Sequence, residues 1–143
     1  MADDRLHFLS IAELSRLIEG RQISPVEVTR SMLDRISSWD SRYQSYATVT
    51  AERATAAAAS AEAQISSGIY LGPLHGVPVA VKDLCFAKGS PTMAGTPVLR
   101  EHVPDFDATV VRRLEEAGAV LLGKQNRMPG LQLIISSSPS PGA

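Results

Sequence analysis

Residues 105–126 read DFDATVVRRLEEAGAVLLGKQN. Val110, Val111, Leu114 and Ala117 recur at helical spacing, so they form one apolar face of a helix. Asp107 stands where an N-cap is expected, and Gly118 stands where the helix must stop. The run AVLLG follows at once; it is apolar and too short for a helix, so it reads as a buried strand. Upstream, GPLHGVPVAVKDLC at 72–85 holds a second run of this kind, Val77 to Val81, bounded by Gly76 and Lys82. Strand, helix, strand, with both strands apolar, predicts a βαβ unit in a parallel sheet.

The chain before this unit reads as helices. In SIAELSRLIEG, Ser10 and Glu13 have capping-box spacing, Ile11, Leu14, Leu17 and Ile18 form a stripe, and Gly20 ends it. In SPVEVTRSMLDRI, Ser24 caps, Pro25 suits the first helical position and Glu27 closes a second box, with Val28, Met32, Leu33 and Ile36 as the buried face. Residues 51–66 are alanine-rich, which favours helix, and Gly68 follows. Residues 87–97, AKGSPTMAGTP, predict a loop. The fold class expected is α/β: N-terminal helices followed by a βαβ unit, part of a larger sheet. Two strands alone would leave an unpaired edge and an uncovered face. Residues 1–126 are read as one domain part, and 127–143 as an atypical Ser/Pro-rich tail expected to be disordered.

Composition narrows the function classes. The chain of 143 residues is 44% hydrophobic and 20% charged, with a formal net charge of −1, as in ordinary globular proteins. No basic excess marks a nucleic-acid partner. No apolar run is long enough to cross a membrane, and MADDRLHFLS lacks the apolar core of a secretory signal. The single cysteine, Cys85, cannot form an internal disulfide, which fits a cytoplasmic location. His7, His75 and His102 are scattered, and no zinc-ligand spacing occurs.

Lys82 is the residue that asks for an explanation. A lysine at the end of a buried strand loses solvation, which disfavours its charged form and frees the amine to act as a general base on a hydroxyl. The plainer alternative is a solvent-facing lysine with Asp83 beside it as an ion partner. Other residues weigh towards structure. Cys85 reads as an inert buried thiol without a histidine base. His75 reads as a hydrogen-bonded turn histidine. Lys124 lacks the Gly-rich loop of a phosphate site, and GSPTMAGTP serves equally as pocket wall or connecting loop.

The run GPLHGVPVAVKDLC resembles the lysine segment of the amidase signature family, G-P-L-H-G-(I/V)-P-(V/I)-(A/G)-(V/L)-K-D. KGSPTMAGTPVL is similar to the family's following loop. Residues 105–126 are similar to its next helix and strand, with Asp107, Ala108, Val111, Gly118, Ala119, Gly123, Lys124 and Asn126 on its motif positions. The helices upstream are similar too, so the resemblance covers residues 5 to about 126. It implies a large mixed sheet covered by helices and amide hydrolysis by a serine nucleophile, a second serine on a cis peptide and a lysine, with no metal and no organic cofactor. Lys82 takes the position of that lysine, the general base. The substrate implied is a small-molecule amide, with homo-oligomerisation open.

The sequence departs from the pattern in one respect. The family's G-S-S-G-G-S-like stretch, which carries both serines and backbone donors for the oxyanion, does not occur. SSSPS at 136–140 lacks the glycines, and its prolines remove N–H donors. The nucleophile and the cis-serine therefore have no counterpart here, and Ser136, Ser137 and Ser138 read as tail. An N-terminal piece of an amidase, inactive alone, is the leading expectation. Two others are a non-catalytic short product that binds a partner, and a glutaminase component of a tRNA-dependent amidotransferase.

Overall fold

The computed structural model describes residues 5–126. Four helices and three strands make up its main elements: α1 (Ile11–Glu19), α2 (Pro25–Tyr43), β1 (Tyr46–Val49), α3 (Ala51–Ser66), β2 (Pro78–Lys82), α4 (Thr109–Glu116) and β3 (Val120–Gln125). The sheet order is β1-β3-β2, with β3 parallel to β2 and antiparallel to β1. The expected βαβ unit is β2-α4-β3, and the central strand is its second one. The segment 127–143, read from sequence as a tail, lies outside the described residues.

The three-layer packing follows from the alternation of side chains along β3. Val120 and Leu122 face one side and pack with Ala54 and Ala58 of α3 and with Met32, Leu33 and Ile36 of α2. Leu121 faces the other side, where it meets Val81, Ala87 and Val111 of α4. The alanines of α3 let that helix lie close to the sheet. A third cluster joins Leu14 and Ile18 of α1 to Val28, Ile65 and Val77.

Helix starts follow local chemistry, with differences where tertiary partners intervene. The Ser10–Glu13 capping box forms in both directions. Ser24 accepts N–H bonds from Val26 and Glu27, yet its hydroxyl donates to Glu62 of α3. The cap at Ser24 thus doubles as a tie between helices. Asp107 does not cap α4. Ala108 occupies the N-cap without a side-chain bond, because the Asp107 carboxylate accepts the Lys88 N–H at 2.8 Å and pairs with Arg53 at 3.0 Å. Gly20 keeps a negative φ, and Arg21 takes the left-handed conformation at φ 55° instead.

Strand β1 has no counterpart in the elements read from sequence. It has four residues, and its burial alternates between half-buried and exposed. Its identity as a strand depends on pairing with β3 more than seventy residues later, a signal that local periodicity does not carry. A bulge between Tyr46 and Thr48 accompanies the pairing. There Gly123 approaches β1 so closely that a Cβ would lie 2.3 Å from the Thr48 carbonyl oxygen.

Candidate active site

The parallel strands β2 and β3 bring two lysines to their carboxyl ends, the end of an α/β sheet where ligand sites gather. Val81 pairs with Lys124 and Lys82 with Gln125. The turn after β2 is fixed by backbone bonds: Asp83 N–H donates to the Gln125 carbonyl and Cys85 N–H to the Lys82 carbonyl, both at 2.9 Å.

Lys82 is exposed, so the burial expected from its place at a strand end is not found. The reason is topological. Among the described residues β2 pairs only with β3, which leaves it at the edge of the sheet. Alternation then directs Val81 into the α4 cluster and Lys82 away from it.

The lysine withdrawn from water is Lys124. Its side chain is fully buried, and three oxygens surround its ammonium. It donates to the Pro91 carbonyl at 2.7 Å and to Thr92 Oγ1 at 2.5 Å, and it pairs ionically with Asp83 Oδ1 at 3.1 Å. Three oxygens match the three N–H groups of an ammonium in number. Asp83 is also buried, and its other oxygen accepts the Met93 and Ala94 N–H groups at 3.1 Å each. Asp83 therefore partners Lys124 and the loop, and the ion pair with Lys82 that adjacency suggests does not form. The sequence carries a signal for this arrangement: a lysine following VLLG in a central strand requires a buried partner.

The remaining candidates take structural places. His75 is 1% exposed. Its Nδ1 accepts the Leu71 N–H at 3.1 Å, so its Nε2 donates to Gln64 Oε1 at 2.9 Å. Burial pushes its pKa below the ordinary value. Gly118, at φ 81°, packs against the ring; a Cβ there would lie 2.4 Å from His75 Cδ2. Cys85 is half-buried and packs beside the Val81–Val111 cluster. Ser136, Ser137 and Ser138 lie outside the described residues. No group of three or more metal-ligating side chains occurs among the described residues, and no helix there is long and apolar enough to cross a membrane.

The sequence matches the amidase family over residues 27–142. The chain belongs to the amidase family. The match takes in 127–142, the segment that composition alone sets apart. A Mycobacterium tuberculosis protein named as a candidate amidase, AmiD, is 47% identical over 131 residues, 92% of this chain and 28% of the relative. One component of the glutamyl-tRNA(Gln) amidotransferase of Moorella thermoacetica is 47% identical over 121 residues, 85% of this chain and 25% of the relative. Among solved structures, the native peptide amidase of Stenotrophomonas maltophilia superposes with a TM-score of 0.77 at 34% identity, over 82% of this chain and 24% of that one. The chain thus spans about a quarter of the length of the relatives it matches.

Proposed function

We propose that this chain forms the lysine-bearing part of an amide hydrolase of the Ser–cis-Ser–Lys type, with Lys82 as the general base. The observation that carries the reading is the placement of the GPLHGVPVAVKD lysine at the carboxyl end of an edge strand. A serine-bearing segment laid over that edge would withdraw the amine from water, the condition under which a lysine serves as a base. Lys82 then takes the proton of the second serine, which in turn takes that of the nucleophile. The nucleophile attacks the amide carbon, the amine departs with a proton, and water releases the acyl group.

Because no Gly/Ser-rich stretch of the required kind occurs in the sequence, the 143 residues alone are inactive in this reading, and the substrate is a small amide met by a longer, cytoplasmic form. The test is hydrolysis of simple amides by the 143-residue chain and by the same sequence continued with a serine-bearing segment. The short chain should give no turnover. The longer one should turn over and lose that activity with Lys82→Ala. Turnover by the short chain that survives Lys82→Ala would overturn the mechanism.

The relatives named as amidotransferase components favour a second reading, ammonia release from glutamine in partnership with other chains. We read the loop LCFAKGSPTMAG as closer to general amidases, which places the first reading ahead. Glutaminase activity that appears only with such partners would favour the second reading. A binding role without catalysis would follow if no extended form hydrolyses any amide.

A further inference from the structure

Lys124 and Asp83 form an ion pair sealed from water in the central layer of the fold. A buried ion pair stabilises a fold little more than well-packed apolar residues do. Its use here is better sought in what it holds. Asp83 follows Lys82 directly, and its N–H is tied to the end of β3. Its carboxylate gathers the Met93 and Ala94 N–H groups, while Lys124 gathers the Pro91 carbonyl and Thr92 Oγ1. Four consecutive residues of a Gly/Pro/Ser/Thr-rich loop are thereby fixed to the carboxyl ends of β2 and β3. Ala94 is held in the left-handed region at φ 49°, a conformation that a non-glycine residue keeps only where its surroundings impose it. The Thr92 N–H, bonded to the His102 carbonyl at 2.9 Å, pins the loop from the far side.

We propose that Lys124, acting through Asp83, is a positioning residue for Lys82: the pair sets the direction in which β2 presents the Lys82 amine and holds loop 91–94 as a rigid wall beside it. The inference rests on the reading of Lys82 as the base. Lys124 itself does no proton transfer, because its ammonium is fully buried and enclosed by the Pro91, Thr92 and Asp83 oxygens.

The test uses this sequence continued by a serine-bearing segment, with steady-state kinetics and thermal melting measured on each variant. Lys124→Met should lower kcat by about 10²-fold, the scale expected when a reacting group is displaced by about an ångström, with KM changed less than about threefold. It should also lower the melting temperature, since Asp83 is left unpaired. The double variant Asp83→Asn/Lys124→Met removes both charges and should regain most of the melting temperature without regaining kcat. Recovery of both by the double variant would overturn the proposal, as would wild-type kcat in Lys124→Met or failure of every variant to fold, since each outcome reduces the pair to a structural one. Lys82→Ala separates the two readings. If it leaves turnover intact, the assignment of the base fails; if it abolishes turnover while Lys124→Met does not lower it, only the positioning role fails.

Discussion

Lys82 and Lys124 stand one register step apart at the ends of neighbouring parallel strands, and their surroundings are opposite. Lys124 lies on the central strand, enclosed by the loop, with two hydrogen-bond acceptors and the Asp83 carboxylate around its ammonium. Lys82 lies on an edge strand and is exposed. The contrast shows that the end of an apolar run does not by itself dry a lysine. What dries it is a strand on each side and a chain segment folded over the end. β3 has both among the described residues, and β2 has one neighbour.

The most severe test of this contrast is to neutralise each lysine in turn. Lys124→Met leaves the Asp83 carboxylate buried without its cation, and loss of one partner of a buried pair typically costs about 3–5 kcal/mol. In the 143-residue chain this should appear as a large fall in the denaturation midpoint, or as loss of the folded state. A melt indistinguishable from wild type would mean that the pair is solvated and that the two lysines are alike.

A second variant probes why β3 is central. Gly123→Ala brings a Cβ to 2.3 Å from the Thr48 carbonyl oxygen, a backbone atom that cannot step aside. The expected cost is about 1–3 kcal/mol, as for other overpacked sites. Amide exchange should quicken first at β1 and along its ladder with β3, leaving the β2–β3 ladder less affected. Uniform loss of protection would mean that β1 is integral to the sheet and not an added strand.

These variants also mark where the sequence is legible. The extent of α3, the cap at Ser10 and the β2-α4-β3 unit can be read because their causes are local: propensity, a three-residue hydrogen-bond loop and periodicity. The family can be read because GPLHGVPVAVKD is dense in a short span. What escapes is long-range. β1 is a strand because Gly123 admits it, Asp107 leaves its helix for Arg53 and Lys88, and Asp83 turns from its neighbour Lys82 to Lys124. Each depends on a partner that spacing along the chain does not identify. Weighing Lys124 against a phosphate site misses its place, because the stronger question is what could neutralise a lysine inside an apolar strand.

His75 extends the contrast to the amino end of β2. It is buried with Nδ1 accepting an N–H, so protonation would place a proton against the Leu71 donor. Burial lowers its folded pKa, while the unfolded chain keeps the ordinary value near 6.5. The unfolded state therefore binds the proton first as pH falls. The stability involved is fully present above pH 6.5 and is lost as pH drops from there through the folded pKa. Denaturation midpoints measured from about pH 8 down to about pH 5 should fall in the acid range, and His75→Gln should flatten that slope. An unchanged slope in the variant would assign the acid sensitivity between about pH 8 and about pH 5 to groups other than His75. A further effect of about 1 kcal/mol is expected for Ser10→Ala, which removes the cap of α1 far from either lysine.

The smallest change in stability is expected at the residue with the largest proposed consequence. Lys82 contributes its peptide groups to the ladder and the turn, and Lys82→Ala keeps both. Its exposed side chain is not part of the apolar clusters. Substitution should therefore move stability by no more than about 0.5 kcal/mol, the usual range for surface positions. A side chain placed by a fixed turn yet adding nothing to the apolar clusters is free for the base role proposed for it. A loss of about 2 kcal/mol or more, well beyond that surface range, would show instead that the Lys82 side chain packs in this chain as it stands, and the edge of β2 would then be a finished surface with no serine to receive.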